Sequence, residues 1–314
     1  MTQASRPPVL AADIAGVRQA AALLREGGLV AVPTETVYGL AARADHDQSV
    51  AAIYRAKGRP SFNPLIVHVS GVEQGRRYAL FDAAAEQLAA AFWPGPLTLV
   101  LPLAPEHGLA AAVTAGLPTV ALRCPAHPVM RQVLEEAGVP LAAPSANRSG
   151  GVSPTRAEHV VASLGDRVDL VLDAGACEAG VESTIVALRS DGGWQVLRPG
   201  PITADQIDAL LGPATVSAIH RIEAPGQLES HYAPGKPVRL NARTAAADEF
   251  FIGFGALGGD VQLSPGGDLA EAASRLYAAL HEGAAAPQPR IAVAPIPMEG
   301  IGAAINDRLR RAAA

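Results

Sequence analysis

Pro33-Thr34-Glu35-Thr36-Val37-Tyr38-Gly39-Leu40 joins the apolar, strand-like run Leu29–Pro33 to a hydroxyl-rich turn. Seventeen residues further on, Lys57-Gly58-Arg59-Pro60 precedes Asn63-Pro64-Leu65-Ile66-Val67-His68. Neither a core nor a turn calls for two cations around a glycine there, so the arrangement suggests a polar pocket built for an anion. The competing reading is a solvated helix end. Cations favour the C-terminal dipole of a helix over about Val50–Ala56, which accounts for one of the two. Two cations bracketing a glycine that lets a ligand approach the backbone suit a polyphosphate. On these residues alone both readings stand.

Outward from this stretch, strand-like runs recur at Leu65–Val69, Leu97–Leu101, Val120–Arg123, Leu141–Pro144, Leu170–Leu172, Thr184–Leu188 and Gln195–Leu197. Helical segments alternate with many of them. Ile14–Arg25 is Ala/Leu-rich, and Val129–Glu136 follows a proline at a first helical position. Thr155-x-x-Glu158 and Thr203-x-x-Gln206 read as capping boxes, opening helices to Leu164 and Leu211. Interleaved strands and helices predict an α/β domain over residues 1–212. Residues 213–237 lose periodicity and carry Pro225, Gly226, Pro234, Gly235 and Pro237, the marks of a proline-stiffened linker. Ser230-His231-Tyr232 lies within it, three hydrogen-bonding side chains that a spacer has little use for. Strand signals return at Val238–Leu240, Phe250–Phe254, Val261–Leu263 and Ile291–Pro295. Leu269, Ala272, Ala273, Leu276, Tyr277 and Leu280 follow one helix face, and a last helix over about Ile301–Arg311 completes a small α/β domain, 238–314.

Several local motifs are ambiguous when taken singly. Gly253-Phe254-Gly255-Ala256-Leu257-Gly258 has the G-x-G-x-x-G spacing after a strand, but no helix signal follows, so a glycine-rich turn is expected. Gly235-Lys236-Pro237 lacks the first glycine and the Ser/Thr of a phosphate loop. Pro144-Ser145-Ala146-Asn147-Arg148-Ser149-Gly150-Gly151 runs from a strand end, where open α/β sheets bind ligands, yet it also reads as an ordinary hydrogen-bonded turn. Glu182-Ser183-Thr184 before one strand and Arg198-Pro199-Gly200 after another are equally open. His68 alone reads as a satisfied strand histidine.

The 314 residues exceed the usual size of one domain, which agrees with two. With 49% hydrophobic and 18% charged residues the chain has ample core material. A net charge of −5 argues against a protein that mainly grips a nucleic-acid backbone. Two distant cysteines, Cys124 and Cys177, give no metal-ligand spacing and no disulfide framework, which fits a reducing compartment. The first eight residues show no signal-peptide pattern, and Pro94-Gly95-Pro96 interrupts the uncharged stretch Leu88–Pro105. The expectation is a soluble, cytoplasmic protein that does not enter a membrane.

Taken together, Pro33–Leu40, Lys57–His68, Phe92–Leu101, Val120–Pro125, Ala143–Asn147, Glu182–Val186 and Leu197–Gly200 resemble the threonylcarbamoyl-AMP synthase family. Ser230–Gly235 and Gly302–Arg310 resemble its long, two-domain form, so the likeness covers nearly the whole chain. Gln227 is a departure, because the family commonly has methionine after the Pro-Gly pair; it puts linker packing in question and leaves the chemistry untouched. The resemblance implies a twisted YrdC-like sheet curled around a deep, positively charged cavity, with a smaller Rossmann-like α/β domain at the C-terminus. It implies condensation of L-threonine, bicarbonate or CO2, and ATP (with Mg²⁺) into threonylcarbamoyl-AMP and pyrophosphate. The product serves N6-threonylcarbamoyladenosine formation on tRNAs reading ANN codons, through a separate transferase complex and without stable direct tRNA binding by this chain.

By that resemblance, Thr36, His68, Arg123, Ala143 and Ser183 fall at threonine-contacting positions. Lys57 and Arg59 would hold the triphosphate as the catalytic cations. Asn63, Thr119, Ser145, Ser153 and Arg198 fall at nucleotide-contacting positions, Asn147 supports the same loop, and Tyr232 would close over the nucleotide. No protein-ligated metal is implied. Three competitors differ in kind. A non-catalytic RNA-binding module is disfavoured by net acidity and only 4% aromatics. Carbamoyl transfer through a carbamoyl-adenylate goes with cysteine sets this chain lacks, and an inactive paralogue is at odds with the retained Lys57, Arg59, Ser145 and Asn147.

Overall fold

The computed structural model describes residues 6–189, 192–214, 223–225, 227 and 231–314. Asp13 accepts the Gly16 N–H at 2.9 Å and starts helix Ile14–Arg25, whose Val17, Ala20, Ala21 and Leu24 are buried at helical spacing. Thr203 and Gln206 form the expected reciprocal capping box at the start of helix Ala204–Leu211. The Thr155 box does not form. That helix spans Ala157–Leu164 with Arg156 at its cap, and the Thr155 N–H donates instead to His159 Nδ1 at 3.3 Å. Among the described residues no helix is long and apolar enough to cross a membrane.

Ten strands form one mixed sheet: β1 (Val9–Ala11), β2 (Val30–Val32), β3 (Gly39–Arg43), β4 (Ile66–His68), β5 (Leu97–Pro102), β6 (Thr119–Arg123), β7 (Leu141–Ala142), β8 (Leu170–Asp173), β9 (Thr184–Leu188) and β10 (Trp194–Arg198). Their order across the sheet is β1-β8-β2-β3-β7-β4-β6-β5-β9-β10. β1 and β3 carry no strand signal in the sequence. β1 is three residues long, and β3 reads Gly-Leu-Ala-Ala-Arg, poor in the β-branched residues that mark strands. Large apolar clusters pack helices against the sheet, one of them built on Leu40, Ile53, Leu88, Leu99, Leu122 and Val160.

A second, all-parallel sheet contains β11 (Val238–Arg239), β12 (Glu249–Gly253), β13 (Val261–Gln262) and β14 (Arg290–Val293), in the order β11-β14-β12-β13. Helix Leu269–Ala285 lays Ala272, Ala273, Leu276, Tyr277 and Leu280 into its core. The Gly253–Gly258 segment closes as a turn through a Phe254–Leu257 bridge, with no helix following. The core of this C-terminal domain does not end at its own residues: Val37, Val152, Val181 and Tyr232 belong to the same apolar cluster. The two sheets are therefore joined through shared hydrophobic burial.

Candidate active site

Register places the polar groups. β4 pairs with β6 in parallel, setting His68 beside Arg123, and β5 pairs with β6 antiparallel, setting Thr98 on the other side of Arg123. Directly paired residues share a sheet face. His68, Arg123 and Thr98 thus form a polar row at one end of three central strands. Two residues along each strand, Ile66, Ala121 and Val100 form an apolar row on the same face, continued by Ile185 and Ala187 of β9.

The turn after β2 closes over the polar row. Thr34 Oγ1 donates to the Val37 carbonyl at 2.6 Å, so the 2.8 Å contact with Thr36 Oγ1 takes its proton from Thr36. Thr36 Oγ1 in turn accepts from Arg123 Nη1 at 2.9 Å. Arg123 Nη2 donates to Glu35 Oε1 at 2.7 Å, and Nε reaches the Gly95 carbonyl at 3.3 Å. Burial alone would raise the Glu35 carboxyl, but the Arg123 charge and hydrogen bond bring it below its ordinary value. On the far side, Ser183 Oγ lies 2.8 Å from Thr98 Oγ1 and accepts from Arg198 Nη2 at 3.1 Å.

Lys57 does not behave as a solvated helix end. It is 3% exposed, and its Nζ donates to the carbonyls of Ser145 and Asn147, both at 2.5 Å. It holds the Ser145–Asn147 loop from behind the cavity. Gly58 is the left-handed cap of helix Asp47–Lys57 (φ 61°), a conformation that favours glycine, and a Cβ there would meet no protein atom within 4 Å. Arg59 is braced by Asn63 Oδ1 at 2.7 Å and the Pro64 carbonyl at 2.8 Å, and burial lowers its pKa to about 10. Burial and the nearby Arg123 push His68 down to about 3, so the ring is neutral at pH 7. Among the described residues its Nδ1 meets no hydrogen-bond partner.

Roof and floor meet at Glu182. Ser153 Oγ donates to its Oε1 at 2.5 Å, while Tyr277 OH and Arg308 Nε donate to Oε2 at 2.7 and 3.0 Å. Burial would raise this carboxyl, but Arg308, Arg198 and the hydroxyl donors hold it at about 2. Tyr232, at φ 64°, stacks on Tyr277 and lies under the Arg308 guanidinium, and its hydroxyl meets no hydrogen-bond partner among the described residues.

The family model Sua5–YciO–YrdC, described as Telomere recombination, matches residues 22–200, and the model described as Threonylcarbamoyl-AMP synthase, C-terminal domain, matches 202–314. The chain belongs to the Sua5–YciO–YrdC family. Threonylcarbamoyl-AMP synthase of Bacillus subtilis is 47% identical over 235 residues, 71% of this chain and 66% of that protein. Threonylcarbamoyl-AMP synthase of Pyrococcus abyssi is 37% identical over 322 residues, 94% of this chain and 93% of that protein. The crystal structure of P. abyssi Sua5 complexed with L-threonine superposes with a TM-score of 0.88 at 35% identity, covering 98% of this chain and 97% of that one.

Within this Sua5-type fold, one cavity is lined by nine of the expected residues: Thr36, Arg59, His68, Arg123, Ala143, Ser145, Ser183, Arg198 and Tyr232. Lys57, Asn63 and Ser153 stand one hydrogen bond behind that wall, and Asn147 stands behind Lys57. Thr119 is not brought to it. It opens β6, four residues and about 13 Å from Arg123 at the usual strand rise. Glu182 and His231 line the cavity although sequence reasoning gave them no site role, and Pro225 joins them. Ser230, expected to flank them, lies outside the described residues.

Proposed function

We propose that this chain is an L-threonylcarbamoyladenylate synthase, a nucleotidyltransferase that joins L-threonine, bicarbonate or CO2, and ATP, and releases pyrophosphate. The observation that carries the reading is the row Thr36–Arg123–His68 with Ser183 beside it, flanked by Arg59 and Arg198 in one enclosed cavity. Arg123 suits a bidentate grip on the amino-acid carboxylate. Neutral His68 adds no charge against the amine, which must lose a proton before its nitrogen attacks the CO2 carbon. A carbamate oxygen then attacks the α-phosphorus and pyrophosphate leaves; from bicarbonate the balance also releases water. Positioning and charge neutralisation carry such phosphoryl chemistry, and Arg59 and Arg198 offset the charge on the departing pyrophosphate.

Mg²⁺ enters with ATP as part of the substrate. Among the described residues Glu182 is the one carboxylate lining the cavity, and both its oxygens already accept hydrogen bonds, so the phosphates themselves would carry the ion. Lys57, Arg123 and Arg198 are buried, at 3–4% exposure, and cannot reach a polynucleotide backbone, which weighs against an RNA-binding module. The labile adenylate passes to a tRNA threonylcarbamoyl transferase complex in the cytoplasm. The test is pyrophosphate release from MgATP with each amino acid and bicarbonate supplied in turn. Release should require both L-threonine and bicarbonate, and turnover without L-threonine would sink the assignment.

A further inference from the structure

A buried hydroxyl has one proton to give and two lone pairs to fill, and its neighbours fix the direction of each. The protons around the polar row therefore decide what each hydroxyl offers a ligand. At Thr36 the proton goes to Thr34 Oγ1, because Thr34 spends its own on the Val37 carbonyl. Thr36 Oγ1 also accepts from Arg123 Nη1, which leaves it one lone pair. Towards the cavity that it lines, Thr36 is an acceptor.

Ser183 is the opposite case. Its Oγ accepts from Arg198 Nη2 at 3.1 Å and lies 2.8 Å from Thr98 Oγ1, in a geometry that lets either oxygen donate. Thr98 decides between the two. It is fully buried on β5, outside the cavity lining, and among the described residues its hydroxyl has no other hydrogen-bond partner. Were Ser183 the donor, the Thr98 proton would be buried without an acceptor, a loss that folding penalises. Thr98 therefore donates. Both Ser183 lone pairs are then filled, by Thr98 and by Arg198, and the Ser183 proton is left for the cavity.

We infer that Thr98 is a positioning residue that makes the Ser183 hydroxyl a donor, so that the cavity wall sets a donor at Ser183 against an acceptor at Thr36. The inference deepens the reading of the cavity as an amino-acid and ATP site and rests on it. An α-amino acid matches this polarity, because its carboxylate only accepts while its neutral amine still offers N–H groups. Among the described residues Arg123 spends one N–H of each Nη on Thr36 and Glu35, and the second of each remains for the carboxylate. The Ser183 O–H adds a donor for a carboxylate or carbamate oxygen. Thr36 Oγ1 takes an amine N–H and leaves the nitrogen lone pair for the CO2 carbon.

Neutron diffraction from deuterium-exchanged crystals of the ligand-free protein reads the direction itself. Expected is a deuteron on Thr98 Oγ1 along the line to Ser183 Oγ, with the Ser183 deuteron turned to the cavity. A Ser183 deuteron aimed at Thr98 overturns the inference. A second arm compares wild type, Thr98→Val, Thr98→Ser, Ser183→Ala and the double variant Thr98→Val/Ser183→Ala, by calorimetric binding of L-threonine and by pyrophosphate release. Thr98→Val keeps the branched shape that suits a strand and removes the donor. It should weaken L-threonine binding and raise the threonine KM about fivefold, the worth of one directed hydrogen bond, while Thr98→Ser stays close to wild type. Added to Ser183→Ala, Thr98→Val should cost nothing further, because Thr98 acts only through Ser183. An equal loss in both backgrounds, or a Thr98→Ser variant as weak as Thr98→Val, would show that Thr98 merely packs β5 and would overturn its role. A wild type that binds no L-threonine refutes the amino-acid reading instead, and the neutron map still decides the direction of the Thr98–Ser183 bond.

Discussion

Arg123 owes its place to partners far away in the chain. Glu35 lies 88 positions before it, and no local pattern in Thr34-Glu35-Thr36 announces an ion pair with β6. The hydroxyls and the arginine were legible as site residues through the resemblance of whole segments. Glu35 was not, because a lone carboxylate in a polar turn looks like an ordinary surface acid until tertiary structure buries it. Its effect is open to test. Glu35→Gln keeps the shape but leaves the buried guanidinium without its counter-charge, and breaking such a pair costs about 3–5 kcal/mol. The expected outcome is a lower urea midpoint together with a threonine KM raised tenfold or more, since Arg123 then turns away from its fixed direction. Glu35→Asp should recover part of both. A threonine KM equal to that of wild type in Glu35→Gln would show that Arg123 is held by Thr36 and Gly95 alone.

At the scale of elements, most helices and strands are readable because apolar period and caps agree, as with Ile14–Arg25 and the Thr203–Gln206 box. Where the sequence misled, a competing local side chain had taken the group that the capping rule needed: the Thr155 N–H went to the ring of His159, four residues on. The Arg198-Pro199-Gly200 segment illustrates a glycine whose need is invisible without the fold. A Cβ on Gly200 would stand 2.4 Å from Thr184 N and 2.7 Å from the Glu182 carbonyl, both backbone atoms that cannot step aside. Gly200→Ala therefore pushes the Glu182–Thr184 segment, and Ser183 with it, away from Arg198. The expectation is a loss of about 1–3 kcal/mol in stability, the usual cost of overpacking, and pyrophosphate release reduced at least tenfold. Gly212, at φ 77° with nothing near its Cβ direction, makes the control. Gly212→Ala should cost stability through its backbone but leave kcat unchanged.

For the whole molecule, the contact between the two sheets carries a titratable seam. His159 of helix Ala157–Leu164 stacks on His281 of helix Leu269–Ala285, with ring centres 3.9 Å apart and planes at 22°. His281 Nε2 lies 3.1 Å from the Ser153 carbonyl and therefore donates to it, which ties the seam to the residue whose hydroxyl reaches Glu182. Burial, then the partner ring, pushes His159 down to about 3, and burial lowers His281 as well. His68 and His231 are held near 3 by burial too. An unfolded histidine titrates near 6.5, so below that pH the unfolded chain binds protons that the folded chain refuses. Stability therefore rises with pH through this window and falls as pH drops below about 6.5, by up to about 1.4 kcal/mol per pH unit for each histidine. Glu182, held at about 2, acts in the same direction, but only below its ordinary value of 4.5, so the two contributions separate on the pH axis. Urea midpoints measured from pH 7.5 to pH 3.5 should hold down to about pH 6.5 and fall below it. In His159→Gln/His281→Gln the fall over that range should be shallower, with the steep loss below pH 4.5 retained. A double variant whose midpoints track wild type at every pH would remove the seam as a source of acid sensitivity and leave His68 and His231 to account for the slope.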